Sequence, residues 1–447
     1  MAIRDLSVPE APDRSYADAL RARTERLAEA AAPIGSPFAG APAELAAETG
    51  AEVERLAPEI IALSHRIFET PEEAFREVRS AAAVAETVER VAGAPVVRGV
   101  HGLETALEAS AGAPGGERAP TVAILAEYDA LPGIGHGCGH NLIAAAATGA
   151  FLALAALGER LPGRVVLLGT PAEEGNSGKE LMARRGAFDG IDAAIMAHGH
   201  GYDAIDLPFI GRRILRVEFE GVPAHASASP FLGRNALDAV ALAYQAVGLL
   251  RQQLPPSDRV HGIVREGGER PSVIPRRAVL EFYLRSHAAD TLAELSRRVT
   301  DIAHGAALAT GTGVTLHWDP QPGTLPTRFN RPLSERWAVH QAARGRKALT
   351  SAVVPGELAA STDFGNVSVR VPGIHPIIRV GPPEVALHTA EFARWARSEH
   401  GDRAAVDAAY GLALTALDFL SDGELRRAVR TDFDAAGGVV DVEEYFR

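Results

Sequence analysis

The chain has 447 residues, 47% of them hydrophobic and 23% charged, with a formal net charge of −12. That composition belongs to a globular chain long enough for two domains with a full core each. Its acidity, with no basic stripe interleaved with aromatics, argues against nucleic acid as a partner. Cys138 is the lone cysteine, which excludes internal disulfides, and Met1-Ala-Ile-Arg-Asp-Leu6 lacks the basic-then-apolar order of a secretory leader, so a cytosolic setting is expected.

Residues 1–50 are rich in Ala, Pro and Glu and offer little bulk to bury, so a peripheral extension is expected there. From Ala51 onward Val53, Leu56, Ile60, Leu63 and Ile67 recur with helical period, and Ser80 to Val91 suggests a second helix. Strand-like runs follow at Thr121–Ala126, Val165–Gly169 and Ala193–Ala197, separated by helical patterns at Leu142–Leu157 and Ser177–Arg185. Alternation of this kind predicts an α/β domain with a largely parallel sheet covered on both faces. The apolar run Leu142–Leu157 is too short to cross a membrane and reads as a core helix, so no membrane partner is expected.

Near residue 211 the pattern changes. Ile214-Leu-Arg-Val-Glu-Phe-Glu220 alternates as a one-sided strand should, and a helix is expected over Asn235–Leu254. Strands at His261–Arg265 and Ala278–Ser286, a helix at Ala289–Leu308 and a strand at Val314–Trp318 complete the order β-α-β-β-α-β, that of a ferredoxin-like unit. Helices at Leu333–Arg344, Glu391–Arg397 and Ala404–Phe419, with a strand at Pro376–Val380, return to the first domain. The expected division is an extension (1–50), a catalytic domain in two parts (51–210 and 322–425), an inserted domain (211–321) and a tail (426–447).

Chemistry collects where strands end. The loop Glu127-Tyr-Asp-Ala-Leu-Pro-Gly-Ile-Gly-His-Gly-Cys-Gly-His-Asn141 joins a strand to a helix and carries an acid pair, Glu127 and Asp129, beside Cys138 and His140. A thiolate and an imidazole two residues apart suit a borderline-soft divalent metal. Gly169-Thr-Pro-Ala-Glu-Glu-Gly175 ends the next strand; of its adjacent glutamates, one can bind metal while the other serves as general base. Met196-Ala-His198-Gly-His200 and Leu387-His388-Thr-Ala-Glu-Phe392 supply further imidazoles. Any one of these motifs alone reads as a solvated or structural group. Four strand-end loops with ligand types point instead to two divalent ions held by Cys138, His140, Glu174, His198 and His388. Arg285, ending a strand, offers a planar fork for a substrate carboxylate, with a solvated arginine as the alternative.

These motifs resemble those of the zinc-dependent metallopeptidases and amidohydrolases related to aminoacylase, carboxypeptidase G and the auxin-conjugate hydrolases. Within that family the likeness is greatest to the branch of the aminobenzoyl-glutamate hydrolases and the Xaa-Arg (β-alanyl-lysine) dipeptidase. Pro171-Ala-Glu-Glu174, Ala224-His-Ala226, Ser361-Thr-Asp-Phe-Gly-Asn-Val-Ser368 and His388-Thr389 carry it together with the first loop, over about residues 50–425. The resemblance implies a phosphorylase/hydrolase-like α/β domain with an inserted ferredoxin-like dimerisation domain. It implies two divalent ions, zinc ahead of manganese, with Glu173 as general base. It also implies a homodimer in which His225 enters the neighbouring subunit's site. Relatives commonly have Asn before the Ile-Pro of the lid motif, where Gly267-Gly-Glu-Arg-Pro-Ser272-Val-Ile-Pro275 has Ser272, a second candidate for substrate binding.

The expected activity is hydrolysis of an amide bond in a dipeptide or N-acyl amino acid, a small molecule carrying a carboxylate. One rival makes Cys138 a nucleophile activated by His136 or His140. A rival of another class is a non-catalytic metal- or peptide-binding relative, which would have no use for Glu173.

Overall fold

Every residue of β3 (Thr121–Ala126) is buried, as a continuous apolar run in the middle of a parallel sheet should be. This computed structural model describes residues 7–112, 119–356 and 360–446. With β1 (Val96–Arg98), β2 (Leu107–Gly112), β4 (Arg164–Gly169), β5 (Ala193–Ile195) and β11 (Gly373–Ile374), β3 forms a six-stranded sheet in the order β1-β2-β4-β3-β5-β11. β3 runs parallel to β4 and β5, and β11 parallel to β5, whereas β1 and β2 form an antiparallel edge. The sequence pattern did not reveal β1 and β2, which are short and partly exposed. β6 (His198–His200) leaves the main sheet just after β5 and pairs instead with β12 (Ile377–Arg379).

Helices Ala43–Phe68, His140–Ala155 and Glu399–Ser421 pack over one face of the sheet. The Ala-rich sequence of His140–Ala155 allows close approach: a Cβ on Gly149 would lie 2.5 Å from Ile60. Glu399–Ser421 is long and apolar enough to cross a membrane, yet it is almost wholly buried between neighbouring helices, as a core helix is. A second cluster, including Leu103, Met182, Phe188, Phe364 and Val367, covers the opposite face. Residue 50 falls inside the helix Ala43–Phe68, whose Val53, Leu56 and Ile60 are in the core. Residue 425 likewise falls inside the helix Gly423–Ala435.

From Gly211 to Trp318 the chain reads β-α-β-β-α-β. β7 (Gly211–Glu220), β8 (Arg259–Glu266), β9 (Arg277–Ser286) and β10 (Gly313–Trp318) form a fully antiparallel sheet in the order β10-β7-β9-β8. Helices Ala236–Leu250 and Ala289–Thr310 cover one face, around Leu215, Val217, Phe219, Leu280, Phe282 and Leu284. The alternation in β7 and β9 puts charged residues on the other face.

Candidate active site

The site lies at the C-terminal ends of β3 and β4 and along β6, where ligands bind in open α/β sheets. After β3 the loop returns through Gly139 (φ 81°), a conformation that suits glycine, directly into the helix starting at His140. His388 also has a left-handed backbone (φ 62°), and its N–H donates to the Gly137 carbonyl at 2.9 Å, which ties its loop to that of Cys138.

The structure brings the five sequence-expected ligands together. Sγ of Cys138 lies 3.5 Å from Nε2 of His198. His198 Nδ1 sits 2.8 Å from the Gly199 carbonyl, so Nδ1 carries the proton and Nε2 keeps its lone pair. His140 is oriented in the same way, with Nδ1 at 2.9 Å from both the carbonyl and Oδ1 of Asp129. Its Nε2 faces Glu127 Oε2 at 3.6 Å and Glu174 Oε1 at 3.9 Å. His388 Nε2 lies 3.5 Å from the same Glu174 oxygen. Asp129 also accepts the backbone N–H of Glu174 at 2.9 Å, so one buried carboxylate positions two of the candidate ligands.

These groups fit a metal centre. Nε2 of His140, Oε1 of Glu174 and Oε2 of Glu127 are buried without a hydrogen-bond partner, an arrangement that a cation placed between them would satisfy. Cys138, His140 and His198 converge within 4.8 Å, as do Cys138, Glu174 and His388, and His140, Glu173 and Glu174. Cys138 and His140 are shared between such groups, as two adjacent ions would need.

Burial, reinforced by Glu127, Glu174 and Asp363, pushes the Glu173 carboxyl well above the usual carboxylate range. Burial brings His198 down to about 4, so its imidazole stays neutral. Burial, with Glu174 adding to it, pushes the Cys138 thiol well up. Behind Glu173 lies an ion cluster that sequence reasoning did not find. Lys179 Nζ is fully buried, bonded to Glu127 and, at 2.6 Å, to Asp363, while its backbone N–H donates to the other Asp363 oxygen at 2.9 Å. Burial opposes ionisation of Glu127, but Lys179 and the neighbouring imidazoles outweigh it and bring the carboxyl down to about 2. Asp363 lies within one of the motifs that carry the resemblance. Lys179 has no motif signal; a lone lysine in an apolar helical pattern was its only mark.

A cavity of about 770 Å³ is lined by Cys138, Glu173, Glu174, His198 and His388 and also by Arg212, Arg259 and Arg285. Arg285 lies where a substrate carboxylate could reach it. Ser272 and His225 do not line this cavity. They lie side by side on exposed loops, where the Ala226 N–H donates to the Ser272 carbonyl at 3.0 Å and His225 bridges Val273. His136 is spent on the Ile67 carbonyl at 3.1 Å and packs beside Phe68.

The fold and this constellation define a hydrolase, and the chain belongs to peptidase family M20/M25/M40, whose pattern it matches over residues 123–409. It is 36% identical to the Xaa-Arg dipeptidase of Mus musculus over 419 residues, 89% of this chain and 96% of that protein. It is 31% identical to a p-aminobenzoyl-glutamate hydrolase component of Escherichia coli K12, over 81% of this chain and 89% of that protein. Its fold is shared with a Bacillus subtilis protein described as a dinuclear metal binding peptidase of the M20 family, with a TM-score of 0.60 at 18% identity, over 81% of this chain and 98% of that one. The chain is therefore an enzyme.

Proposed function

We propose that this enzyme hydrolyses the amide bond of a dipeptide or N-acyl amino acid with the help of two divalent metal ions, zinc ahead of manganese. The observation that carries this reading is the set of buried, unpartnered acceptors on His140, Glu174 and Glu127 converging with Cys138, His198 and His388 beneath an open cavity. Held by Cys138, His140, Glu174, His198 and His388, the ions would polarise the scissile carbonyl and make water more acidic.

Glu173 is the proton carrier. Its raised affinity for protons suits a base that accepts one from the attacking water and delivers it to the leaving amine. Asp129 fixes the tautomer of His140, and Lys179 holds Glu127 and Asp363 in place behind the base. Arg285 receives a carboxylate of the substrate. A Cys138 nucleophile fits less well, because in this reading its sulfur is committed to the ions; a thiol hydrolase would survive chelation, whereas a metal enzyme would not. The names of the relatives, a dipeptidase and an aminobenzoyl-glutamate hydrolase, agree with amide hydrolysis.

In this reading residues 51–210 and 322–425 make the catalytic domain, with 1–50 and 426–447 as its flanking extension and tail. Residues 211–321 pair two chains into a homodimer, and the setting is the cytosol. Exposed Leu249, Ile263 and Val264 on the outer helix and edge strand of that segment favour pairing. His225, outside its own cavity, would then reach the partner's cavity and donate to the oxyanion formed during attack. Mixing Glu173→Gln with His225→Ala protein under subunit exchange tests this. Heterodimers should contain one intact site and regain activity that neither parent has. Heterodimers that form but stay inactive would show that His225 does not act in trans.

A further inference from the structure

Three arginines stand in one row across the four-stranded sheet. Arg285 on β9 is in register with Arg212 on β7 on one side and with Arg259 on β8 on the other. Residues paired across antiparallel strands project from the same face, so all three point the same way, and all three line the catalytic cavity. Like charges placed directly opposite one another destabilise a sheet. Something must offset that repulsion, and among the described residues no carboxylate lies within ion-pair distance of any of the three.

Their contacts are to neutral groups. Arg212, 4% exposed, donates to Ser177 Oγ at 2.9 Å and to the Tyr283 hydroxyl at 3.2 Å. Arg259, at the mouth, donates to the carbonyls of Asp258, at 2.8 Å, and Pro256. Arg285 stacks on the Tyr283 ring at 4.4 Å, and its N–H groups have no hydrogen-bond acceptor among the described residues. Burial, with Arg212 adding to it, lowers its hold on its proton. Further along the same sheet the arginines are paired: Arg216 and Arg265 with Glu281, and Arg277 with Glu218 and Glu266. The missing anions are thus confined to the cavity end.

The acids that line the cavity have other work. Asp363 is held by Lys179, Glu174 is a candidate ligand, and Glu173 is the base. None remains to receive a basic side chain beside the arginine row.

Resting on the hydrolase reading above, we propose that the cavity selects substrates whose leaving amino acid bears a second carboxylate, an N-acyl-glutamate or N-acyl-aspartate or a dipeptide ending in one of them. Arg285, at the centre, takes one carboxylate and Arg259 the other. Arg212, committed to Ser177 and Tyr283, holds its charge behind them. The reaction is the same hydrolysis: water adds across the amide, the C–N bond breaks, and the acidic amino acid leaves as its amine. The choice sides with the glutamate in one relative's name against the arginine in the other's.

The test is equilibrium binding to metal-loaded Glu173→Gln protein, by calorimetry, of N-acetylglutamate, N-acetylglutamine and N-acetyllysine. Glutamate and glutamine match in shape and differ by one charge, so glutamate should bind about ten- to a hundredfold tighter, with lysine weakest. Adding Arg259→Gln, at an exposed position that tolerates change, should bring the glutamate-to-glutamine ratio close to one, whereas Arg285→Gln, which removes the partner of the carboxylate both ligands share, should weaken both and leave their ratio in place. Equal binding of glutamate and glutamine, tighter binding of lysine, or no binding of any of the three would overturn the proposal. Turnover of N-acetylalanine by the unsubstituted enzyme reports separately on the hydrolase reading, because that substrate has no second carboxylate.

Discussion

Two sets of residues of opposite chemistry line the same cavity. The floor, from the ends of β3, β4 and the start of β6, carries carboxylates, imidazoles and a thiol, four of them oriented by a second buried group: His140 by Asp129, His198 by the Gly199 carbonyl, Glu127 and Asp363 by Lys179. The rim, from β7, β9 and β8, carries guanidiniums with no carboxylate in ion-pair reach among the described residues. In the proposed reading, several of the groups that hold metals are fixed in place by the protein itself. Groups that greet a substrate are left for the substrate to satisfy. Substitutions in the two sets should therefore fail in different ways.

The largest effect is expected on the floor. Glu173→Gln should lower kcat by about two to four orders of magnitude while metal content, measured by elemental analysis, stays normal. Metal loss instead would make Glu173 a ligand and exchange its role with Glu174. Lys179→Met should destabilise the fold by about 3–5 kcal/mol, because it leaves two buried carboxylates facing each other without a cation. Urea unfolding measures this, and a change below about 1 kcal/mol would show that the cluster is not a matched ion set. On the rim, Arg285→Gln should raise KM for a carboxylate substrate about ten- to a hundredfold with a smaller change in kcat. A loss confined to kcat would move Arg285 from binding to chemistry and erase the contrast.

Much of this contrast was legible along the chain, for a physical reason. Residues on the floor are close in sequence to one another, Cys138 with His140 and Glu173 with Glu174, because one loop or one strand end delivers each pair. Alternation over Ile214–Glu220 likewise showed a one-sided strand. The Arg212–Arg285–Arg259 row needed register, which no local pattern carries, and so only Arg285 was singled out. Lys179 was missed for a related reason: its partners Glu127 and Asp363 are 52 and 184 residues away. His225 and Ser272 are neighbours, as two residues of facing loops, but lie apart from the cavity of their own chain.

The smallest expected effect concerns the support beneath the floor. Glu77, fully buried, accepts from the Thr105 hydroxyl at 2.8 Å and from the Ala172 N–H at 2.9 Å, and burial pushes its carboxyl up to about 7. The folded state therefore holds a proton that the unfolded state has released above its ordinary carboxylate range. Stability from this group is complete below about pH 4.5 and is lost as the pH rises through about 7, an effect on the order of 1–3 kcal/mol. Thermal unfolding between pH 5 and pH 8 should show this slope in the parent and a flatter one in Glu77→Gln. Identical slopes would mean that Glu77 is ionised throughout.

The central claim is that the unpartnered acceptors on His140, Glu174 and Glu127 exist to hold metal. The most direct measurement strips the enzyme with a chelator and follows N-acyl amino acid hydrolysis while zinc or manganese is returned in known amounts. Activity should vanish on stripping and return in step with bound metal, saturating near two ions per chain, with Cys138→Ser protein binding fewer. Full turnover by the stripped enzyme, or return of activity without metal uptake, would contradict the account.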